Sequence, residues 1–326
     1  MRLLLFITAY LTSVMSYSFE NCQQDHGNSH WMCSYMKKHN RDYKHKKEFL
    51  KKKELVHRRI EKAKHTIPNN MGMTSMLDQP FHANIWLRNQ IVSRNSIVKR
   101  SQPKTFRLTQ YELPEELDLR DKLQPIKNQG ACGSCYTFAA VAALEYYAGQ
   151  SISEQKLMDC TSSENGPSFG CNGGWSETLF EYAMSYPVVK ESEQPYTEAN
   201  AACNQTCSGT VVRVERFATL EMEKDEDSEK RIPYMLNEFG PLVVAIDVGT
   251  TELLMSYNGD VFPGIACGSA LDHAVTIVGY TPDYWIVRNS WGTDWGDDGY
   301  FYLERGVNAC GVASYISYIS KAEQIF

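Results

Sequence analysis

The sequence has no apolar run long enough to span a bilayer, no internal repeat and no low-complexity tract. Its longest apolar run, residues 3–14, is too short for a membrane span; Arg2 precedes it and the small residues Ser16 and Ser18 follow. This order of charge, apolar core and small residues is typical of a secretory signal peptide. We therefore expect residues 1–18 to be a signal peptide that is cleaved near Ser18, and no membrane span elsewhere.

Cysteine is plentiful, with ten in the chain. In an exported protein this number favours disulfides. Two cysteines, Cys22 and Cys33, lie near the N-terminus, and the other eight lie in the second two-thirds of the sequence. The sequon Asn204-Gln205-Thr206 predicts N-glycosylation at Asn204, on a surface loop.

The net charge of −6 is divided unevenly along the chain. Residues 19–113 carry 19 Lys plus Arg against 8 Asp plus Glu, and residues 114–326 carry 13 against 31, so their net charges are +11 and −18. A basic run such as residues 44–53 is typical of a solvated helix face or a nucleic-acid patch. A basic segment next to an acidic domain also suits docking of one on the other, and we expect no nucleic-acid partner.

Apolar periodicity divides the chain into a helical segment, a linker and a mixed domain. Residues 39–64 have the spacing of one helix face, whereas residues 93–114, with the dibasic pair Lys99-Arg100, read as an exposed linker. Further on, the pattern predicts three helices, at residues 135–147, 153–158 and 175–186. Four strands are predicted after them, at residues 242–248, 274–280, 284–287 and 300–304. A helical half followed by a sheet half favours an α+β fold of two subdomains with a cleft between them.

Residues 129–135 (Gln-Gly-Ala-Cys-Gly-Ser-Cys) are the first candidate for chemistry. Cys135 opens a predicted helix, whose free N–H groups and dipole would stabilise a thiolate. The amide of Gln129 could donate to a developing oxyanion. Cys132 and Cys135 could instead form a structural disulfide, or cycle as a redox Cys-x-x-Cys pair. The segment alone leaves the three alternatives open.

His273 and Asn289 supply the other groups that a cysteine nucleophile needs, a base and a side chain that orients the base. His273 lies at the entry to one predicted strand, and Asn289 ends the next strand sixteen residues later. A lone histidine is more often structural. Here, however, the two strands would bring an amide within reach of the ring, which favours a catalytic role for His273.

Several segments in consistent order resemble the papain family of cysteine proteases, close to its cathepsin L-like branch: residues 129–138, 153–160, 170–174, 271–274 and 289–300. The resemblance covers residues 112–320. It implies a papain-like α+β fold with a helical left half, a β-barrel-like right half and an active-site cleft between them, preceded by a helical prodomain. It implies neither a cofactor nor a metal.

The resemblance implies a role for each catalytic position. Cys135 would attack the peptide carbonyl as a thiolate, paired with His273 as an imidazolium, which would then protonate the leaving amine. Asn289 would hold the ring. The backbone N–H of Cys135 and the side chain of Gln129 would form the oxyanion hole, and Trp291 would shield the His–Asn contact from water.

The resemblance also implies where substrate binds. Main-chain contacts would fall to Gly133, Gly173 and Gly174, with Trp291 on the leaving-group side. The pocket for the P2 side chain, two residues before the cleaved bond, would be formed by Trp175, Ser176, Val248, Leu271, Ala274 and Tyr315. Its apolar character predicts a hydrophobic P2 residue, and the bulk of Tyr315 favours Leu or Val over Phe. No His-rich occluding insertion is present, which favours endopeptidase action.

Disulfides follow from the resemblance as well: Cys132–Cys171, Cys160–Cys203 and Cys267–Cys310. Cys132 would then be unavailable for redox cycling with Cys135. Cys207 is left over, and a local Cys203–Cys207 bridge stays open as an alternative. Cys22 and Cys33 lie outside the family pattern and could pair with each other.

Residues 72–78 resemble the family's prosegment motif Gly-x-Asn-x-Phe-x-Asp with two substitutions. Residues 19–112 would therefore be an inhibitory propeptide, ending between residues 100 and 113, and residues 113–326 the peptidase domain. Two tryptophans of the family pattern are replaced, by Leu119 and Tyr136. Both replacements keep bulk, so we expect them to affect packing and rate.

Together these features predict a zymogen that acid activates in a lysosome or acidic vacuole, or outside the cell. Its partners would be protein and peptide substrates, its own propeptide and cystatin-like inhibitors, and we expect a monomer. The alternative from another class is a papain-fold scaffold without activity. Such relatives usually lose the nucleophile or base, whereas this chain keeps all four catalytic positions.

Overall fold

The computed structural model describes residues 16–26, 30–67, 71–79, 112–162, 168–204, 209–221 and 228–325. Residues 1–15 of the expected signal peptide, most of the expected linker with Lys99-Arg100, and Cys207 lie outside these ranges. The chain forms two compact units, Met1–Glu61 and Lys62–Phe326.

The first unit is helical, as the N-terminal segment predicted. Helices α1 (Phe19–His26) and α2 (Trp31–Lys38) are joined by the Cys22–Cys33 disulfide, the pairing that the sequence left open. Helix α3 (Lys46–Thr66) continues into the second unit. It begins later than residue 39, the predicted start, because the preceding residues turn and Tyr43 forms a β-bridge with Tyr17.

In the described part of the second unit, the helices that follow are α4 (Cys135–Ala148), α5 (Glu154–Thr161), α6 (Ser176–Ser185) and α7 (Ile232–Phe239). The first three lie where they were predicted. Helix α5 begins after Ser153, whose hydroxyl accepts a hydrogen bond from the Lys156 backbone N–H at 2.9 Å. Helix α4 ends at Ala148, and Gly149 caps it with a φ of 65°, a left-handed conformation that glycine tolerates.

The strands of the described residues form one sheet, in the order β2-β8-β3-β5-β6-β7-β4 with β1 paired to β5. Their bounds are β1 Leu117–Asp118, β2 Val212–Glu221, β3 Leu242–Ile246, β4 Val261–Phe262, β5 His273–Tyr280, β6 Tyr284–Arg288, β7 Tyr300–Glu304 and β8 Tyr315–Gln324. Strands β3, β5, β6 and β7 correspond to the four predicted strands. The outermost strands β2 and β4 do not pair with each other, so the sheet does not close on itself.

Helix α4 is the element that connects the helical half to the sheet half. It packs on β5, β8 and β3 on one side and on α6 and α5 on the other. A helix enclosed in this way needs apolar residues around its whole circumference, and only Tyr146 and Tyr147 of α4 are partly exposed. The packing fixes Cys135, the first residue of α4, at the junction of the two halves.

Three disulfides join described residues of the second unit, and they are the pairs that the family resemblance implies: Cys132–Cys171, Cys160–Cys203 and Cys267–Cys310. Cys135 is not part of a disulfide. Because Cys132 is bonded to Cys171, the redox interpretation of the Cys132-x-x-Cys135 pair is wrong.

Among the described residues, no helix combines the length and the hydropathy that crossing a membrane requires.

Candidate active site

Cys135 lies at the N-terminus of α4, where backbone N–H groups have no partner within the helix. Its sulfur accepts a hydrogen bond from the backbone N–H of Ala274, at an N–S distance of 3.4 Å. The side chain is fully buried. Both the helix N-terminus and this N–H favour a negative charge on sulfur, so the position suits a thiolate.

His273 and Asn289 meet because β5 and β6 are antiparallel neighbours. Thr276 of β5 lies opposite Arg288 of β6, so His273 at the start of β5 faces Asn289 just beyond the end of β6. The His273 Nε2 and Asn289 Oδ1 atoms are 2.9 Å apart. The structure therefore brings together the two residues that the strand pattern paired.

The hydrogen bonds of Asn289 fix which nitrogen of His273 carries a proton. Asn289 Oδ1 accepts from the backbone N–H of Ser290 at 2.8 Å, which identifies that atom as the amide oxygen. His273 Nε2 must then donate to the same oxygen. In the neutral imidazole, Nδ1 is therefore the basic nitrogen.

Burial lowers the pKa of His273 to about 4, and the hydrogen bond that His273 donates to Asn289 opposes this only in part. A side chain without contact to water loses the hydration that stabilises an imidazolium. In this structure the imidazole is therefore neutral at physiological pH and able to accept a proton.

Gln129 is positioned by both halves of the site. Its side-chain nitrogen donates to the Cys132 carbonyl at 2.9 Å, and its Oε1 accepts from the Ser290 hydroxyl at 2.6 Å. These contacts fix the orientation of the amide, and its nitrogen carries a second hydrogen that can be donated to an oxyanion. Tyr196 adds a further contact, since its hydroxyl donates to the Gln129 backbone carbonyl at 2.9 Å.

Trp291 covers the His273 ring, with ring centroids 4.9 Å apart and planes inclined by 31°. Trp295 packs edge-on against Trp291 at 4.9 Å. Trp291 is only 3% exposed and His273 is fully buried, so the indole lies between solvent and the His–Asn contact. A hydrogen bond kept dry in this way is electrostatically stronger than one in water.

The glycines expected to bind substrate backbone lie beside the nucleophile. Gly133 donates its N–H to the Cys171 carbonyl at 2.9 Å, and Gly173 has a φ of 105° that glycine alone adopts readily. A Cβ on Gly174 would come within 2.8 Å of the Tyr136 ring and 2.6 Å of the Ser168 hydroxyl. Tyr136, which replaces the family's tryptophan, thus packs directly beneath the expected substrate strand.

The residues expected to form the P2 pocket are only partly gathered into one group. Trp175, Leu271 and Tyr315 belong to one apolar cluster with Ala245. The others lie in neighbouring clusters or turn elsewhere: Ala274 packs with the Cys135 group, Val248 with the sheet core, and the Ser176 hydroxyl donates to the Tyr136 carbonyl.

A buried charged cluster adjoins the site and was not predicted. Lys127 lies 2.8 Å from Glu145 and 2.9 Å from Glu154, and Arg288 lies 4.0 Å from Glu145. Together with Asn289 and Ser290 these side chains line a small cavity. Burial raises the pKa of Glu154 to about 8, although the charge of Lys127 opposes the rise.

Ser290, Tyr196 and Glu177 are further site residues that the sequence did not indicate. Ser290 joins Gln129 to Asn289, Tyr196 supports Gln129, and the carboxylate of Glu177 accepts a hydrogen bond from the Tyr315 hydroxyl. Only Ser290 had an available signal, its position next to Asn289. Asn204 is described but the rest of its sequon is not, and its glycosylation stays a prediction.

Comparison with known proteins gives a consistent result. Residues 113–320 match the family described as papain family cysteine protease. "Cysteine protease 1" of Oryza sativa subsp. japonica is 40% identical over 227 residues, which are 63% of this chain and 44% of that protein. The chain thus spans about half the length of this curated relative.

Two solved proforms have similar structures. Procathepsin L 3 of the Tenebrio molitor larval midgut has a TM-score of 0.70 and 27% identity, over 89% of this chain and 98% of that one. The Amb a 11 cysteine protease of ragweed pollen, in its proform, has a TM-score of 0.72 and 26% identity, over 88% and 93%. Both alignments extend well beyond residues 113–320, into the N-terminal helical part of the chain.

Proposed function

Because the chain belongs to the papain family of cysteine proteases, we propose that it is a cysteine endopeptidase made as an inactive zymogen. The observation that carries the proposal is the grouping of three side chains: the Cys135 sulfur accepts the N–H of Ala274, the neighbour of His273, at 3.4 Å, and Asn289 Oδ1 lies 2.9 Å from His273 Nε2. This is the nucleophile, base and orienting group of acyl transfer.

The reaction divides into two half-reactions at these residues. Nδ1 of His273 takes the thiol proton, and the Cys135 thiolate attacks the carbonyl carbon of the substrate. The oxyanion that forms accepts hydrogen bonds from the Cys135 backbone N–H and the Gln129 side chain. The imidazolium then gives its proton to the leaving amine, which leaves an acyl-enzyme. In the second half, His273 takes a proton from water, the hydroxide attacks the thioester, and the Cys135 thiolate departs.

Residues 19–112 are the proposed inhibitory propeptide, and contacts within the second unit support its docking. Gly72 donates its N–H to the Ser256 carbonyl at 2.7 Å, and Thr74 donates its hydroxyl to the Met255 carbonyl at 2.5 Å. Met71 forms a β-bridge with Tyr257. Residues 71–74 therefore lie along residues 255–257 much as an added strand would, through the backbone at residues 71 and 72 and through the Thr74 hydroxyl.

Acid is the proposed trigger of maturation. The propeptide carries +11 and the domain from residue 114 carries −18. Below about pH 5 carboxylates begin to protonate, which weakens the attraction between the two segments. Equal activation rates at about pH 4.5 and 7 would contradict this step.

Export through the secretory pathway to a lysosome, an acidic vacuole or the outside of the cell is part of the proposal. Tyr17 is buried in the helical unit, where its hydroxyl donates to Asp25 at 2.7 Å. A cleavage after Ser16 would keep this contact, whereas cleavage after Ser18 would remove it. We therefore propose cleavage after Ser16 rather than near Ser18, so that the propeptide would begin at Tyr17 instead of at residue 19.

The test is hydrolysis of a blocked Leu-Arg fluorogenic substrate by the acidified precursor. The wild type should hydrolyse it, and a thiol-directed epoxide should abolish the activity. Cys135→Ala should lose at least about 10⁴-fold in rate, because the nucleophile is removed. The matched control is Cys207→Ala, which removes a cysteine outside the disulfide pairs that the family resemblance implies and should keep the activity. Full hydrolysis by Cys135→Ala would overturn the assignment.

A further inference from the structure

The orientation of the Gln129 amide depends on a turn formed by Gly130 and Ala131. The Gln129 side-chain nitrogen donates to the Cys132 carbonyl at 2.9 Å, so the direction of the amide follows the direction of that carbonyl. Gly130 has a φ of 60°, and its N–H donates to the Asn128 side chain at 2.9 Å. A shift of the turn would therefore move the second side-chain N–H of Gln129, the one available to an oxyanion.

Glu198 contacts this turn from another part of the chain. Its Oε2 accepts a hydrogen bond from the Ala131 backbone N–H at 3.2 Å, across 67 positions of sequence. A Cβ on Gly130 would lie 2.1 Å from the Glu198 carboxyl carbon, so the carboxyl group occupies the space that the glycine leaves open. Hydrogen bonds to an ionised acceptor are stronger than those between neutral groups, so a carboxylate is suited to holding a single N–H in place.

The backbone of Glu198 is held in an unfavourable conformation. Its φ of 56° is left-handed, which destabilises a residue that has a Cβ. Gln155 of α5 holds the residues on either side of it: Gln155 Oε1 accepts from the Thr197 N–H at 2.9 Å, and Gln155 Nε2 donates to the Ala199 carbonyl at 2.8 Å. The fold thus keeps a side chain at a position where glycine would avoid the strain, and such strain is typical of functional sites.

Two neighbours of Glu198 also reach the active site. The Tyr196 hydroxyl donates to the Gln129 carbonyl at 2.9 Å. The Asn200 side-chain oxygen accepts from the Cys171 N–H at 2.7 Å, and the Cys171 carbonyl in turn accepts from Gly133. Residues 196–200 therefore connect helix α5 to the loop that carries Gln129.

We propose that Glu198 is a positioning residue of the oxyanion hole, which holds the turn at Gly130 and Ala131 so that the Gln129 amide points at the developing oxyanion. The proposal rests on the function proposed above. Glu198 acts through the turn rather than on the substrate. Its effect is therefore confined to steps in which an oxyanion forms, and it is the same for substrates with different side chains.

The first experiment measures kcat and KM of the acid-activated protein for two peptides, with Arg or norleucine at P1, the residue before the cleaved bond. Titration with a thiol-directed epoxide corrects each rate for the fraction of active sites. Glu198→Ala should lower kcat by about fivefold for both peptides at unchanged KM, because a misdirected donor weakens binding of the transition state only. Glu198→Gln keeps an oxygen that accepts the Ala131 N–H, and should retain at least about half of kcat.

The second experiment separates the oxyanion hole from the nucleophile. Iodoacetamide alkylates the Cys135 thiolate: a carbon–sulfur bond forms, the carbon–iodine bond breaks, and iodide leaves without any oxyanion. The alkylation rate of Glu198→Ala should therefore stay within about twofold of the wild type, whereas its kcat falls.

Glu198→Gly distinguishes positioning from general stability. This variant loses the carboxylate but also loses the strain of a left-handed residue, so it should resist urea at least as well as Glu198→Ala and still show the lower kcat. The matched control is Glu193→Ala, which removes an exposed glutamate that accepts the Lys190 N–H at 3.4 Å, and should keep the wild-type kcat.

Three results would overturn the proposal. The first is a Glu198→Ala variant with the kcat of the wild type. The second is a loss of kcat for the Arg peptide alone, which would make Glu198 a substrate contact. The third is an alkylation rate that falls together with kcat, which would place the effect on the thiolate. Failure of the underlying function has a different signature, since a wild type without thiol-dependent hydrolysis would cleave neither peptide.

Discussion

Glu154 and His273 are two buried groups close to the active site whose pKa shifts act on stability in opposite directions. Burial raises the pKa of Glu154 from 4.5 to about 8. Burial lowers the pKa of His273 from 6.5 to about 4. In both cases the folded protein favours the neutral form, so each group resists ionisation in the native state and ionises freely in the unfolded chain.

The sign of each effect follows from proton linkage. For Glu154 the folded pKa lies above the unfolded one, so its contribution to stability is complete below pH 4.5 and is lost as the pH rises through about 8; the difference corresponds to about 5 kcal/mol. For His273 the folded pKa lies below the unfolded one, so its contribution is complete above pH 6.5 and is lost as the pH falls through about 4, which corresponds to about 3 kcal/mol.

Between pH 4.5 and 6.5 the two groups change the unfolding free energy with pH by equal and opposite amounts, so their effects cancel. Between pH 6.5 and 8 only Glu154 changes it. The parent should therefore lose about 2 kcal/mol of unfolding free energy between pH 6.5 and 8, and Glu154→Gln should not show this loss. Without Glu154 to offset it, the loss of unfolding free energy that His273 causes as the pH falls below 6.5 should also become visible in the variant. The unfolding free energy of the variant minus that of its parent should therefore rise by about 5 kcal/mol as the pH increases from 4.5 to 8.

The assay is urea denaturation followed by tryptophan fluorescence at pH 4 to 8, in a Cys135→Ala background that prevents self-cleavage and thiolate formation. The unfolding free energy of the parent is subtracted from that of Glu154→Gln, which removes groups that titrate equally in both. Glu215→Gln is the matched control, because it removes a surface carboxylate that pairs with Lys321, and such exposed pairs contribute little to stability. A curve for Glu154→Gln that is flat within about 1 kcal/mol would refute the reasoning.

Three further variants test the site and the propeptide. Asn289→Ala should lower kcat/KM by about 100-fold, since the His273 ring loses the acceptor at 2.9 Å that orients it; an unchanged rate on the fluorogenic substrate would contradict this. Trp291→Ala should admit water and raise the pKa of His273 toward its ordinary value, as measured by NMR titration of the Cys135→Ala protein. Gly72→Val should loosen propeptide docking and give a precursor that hydrolyses substrate at neutral pH, because a Cβ there would lie 2.2 Å from the Asn258 side chain.

Local patterns were sufficient for the elements that carry the catalytic residues. Helix α4 has apolar residues around its whole circumference, and β5 and β6 are almost wholly buried, so periodicity and β-branched content indicate them directly. The start of β5 and the end of β6 place His273 and Asn289. For this reason the pairing of base and orienting group could be predicted before any contact was known.

Other elements depend on contacts between distant parts of the chain. Helices α1 and α2 have eight residues each, too few to be stable alone, and a disulfide holds them together. Strand β8 pairs with β2 about a hundred residues earlier, and the outer end of each strand is partly exposed. Such strands show a weak alternation, since only part of their length is buried.

The site follows the same division. Residue types that perform chemistry occur in short motifs, so Cys135, His273 and Asn289 could be identified from the sequence. The residues that position them, such as Ser290 for Gln129 and Glu177 for Tyr315, act across 161 and 138 positions. Neither has a local signature, because a serine or a glutamate becomes a positioning group only through the fold.

The burial that keeps His273 neutral in the precursor also defines what maturation must supply. With a pKa of about 4, the imidazole gains a proton near neutral pH only if about 4 kcal/mol or more of new stabilisation becomes available. A thiolate on Cys135 next to the ring can supply this as the partner of an ion pair, and so can water that reaches the ring. The Ala274 N–H and the N-terminus of α4 already favour the thiolate. The surroundings of the Cys135 sulfur therefore already stabilise the thiolate. The free energy that opposes the thiolate–imidazolium pair comes from burial of the His273 ring away from water.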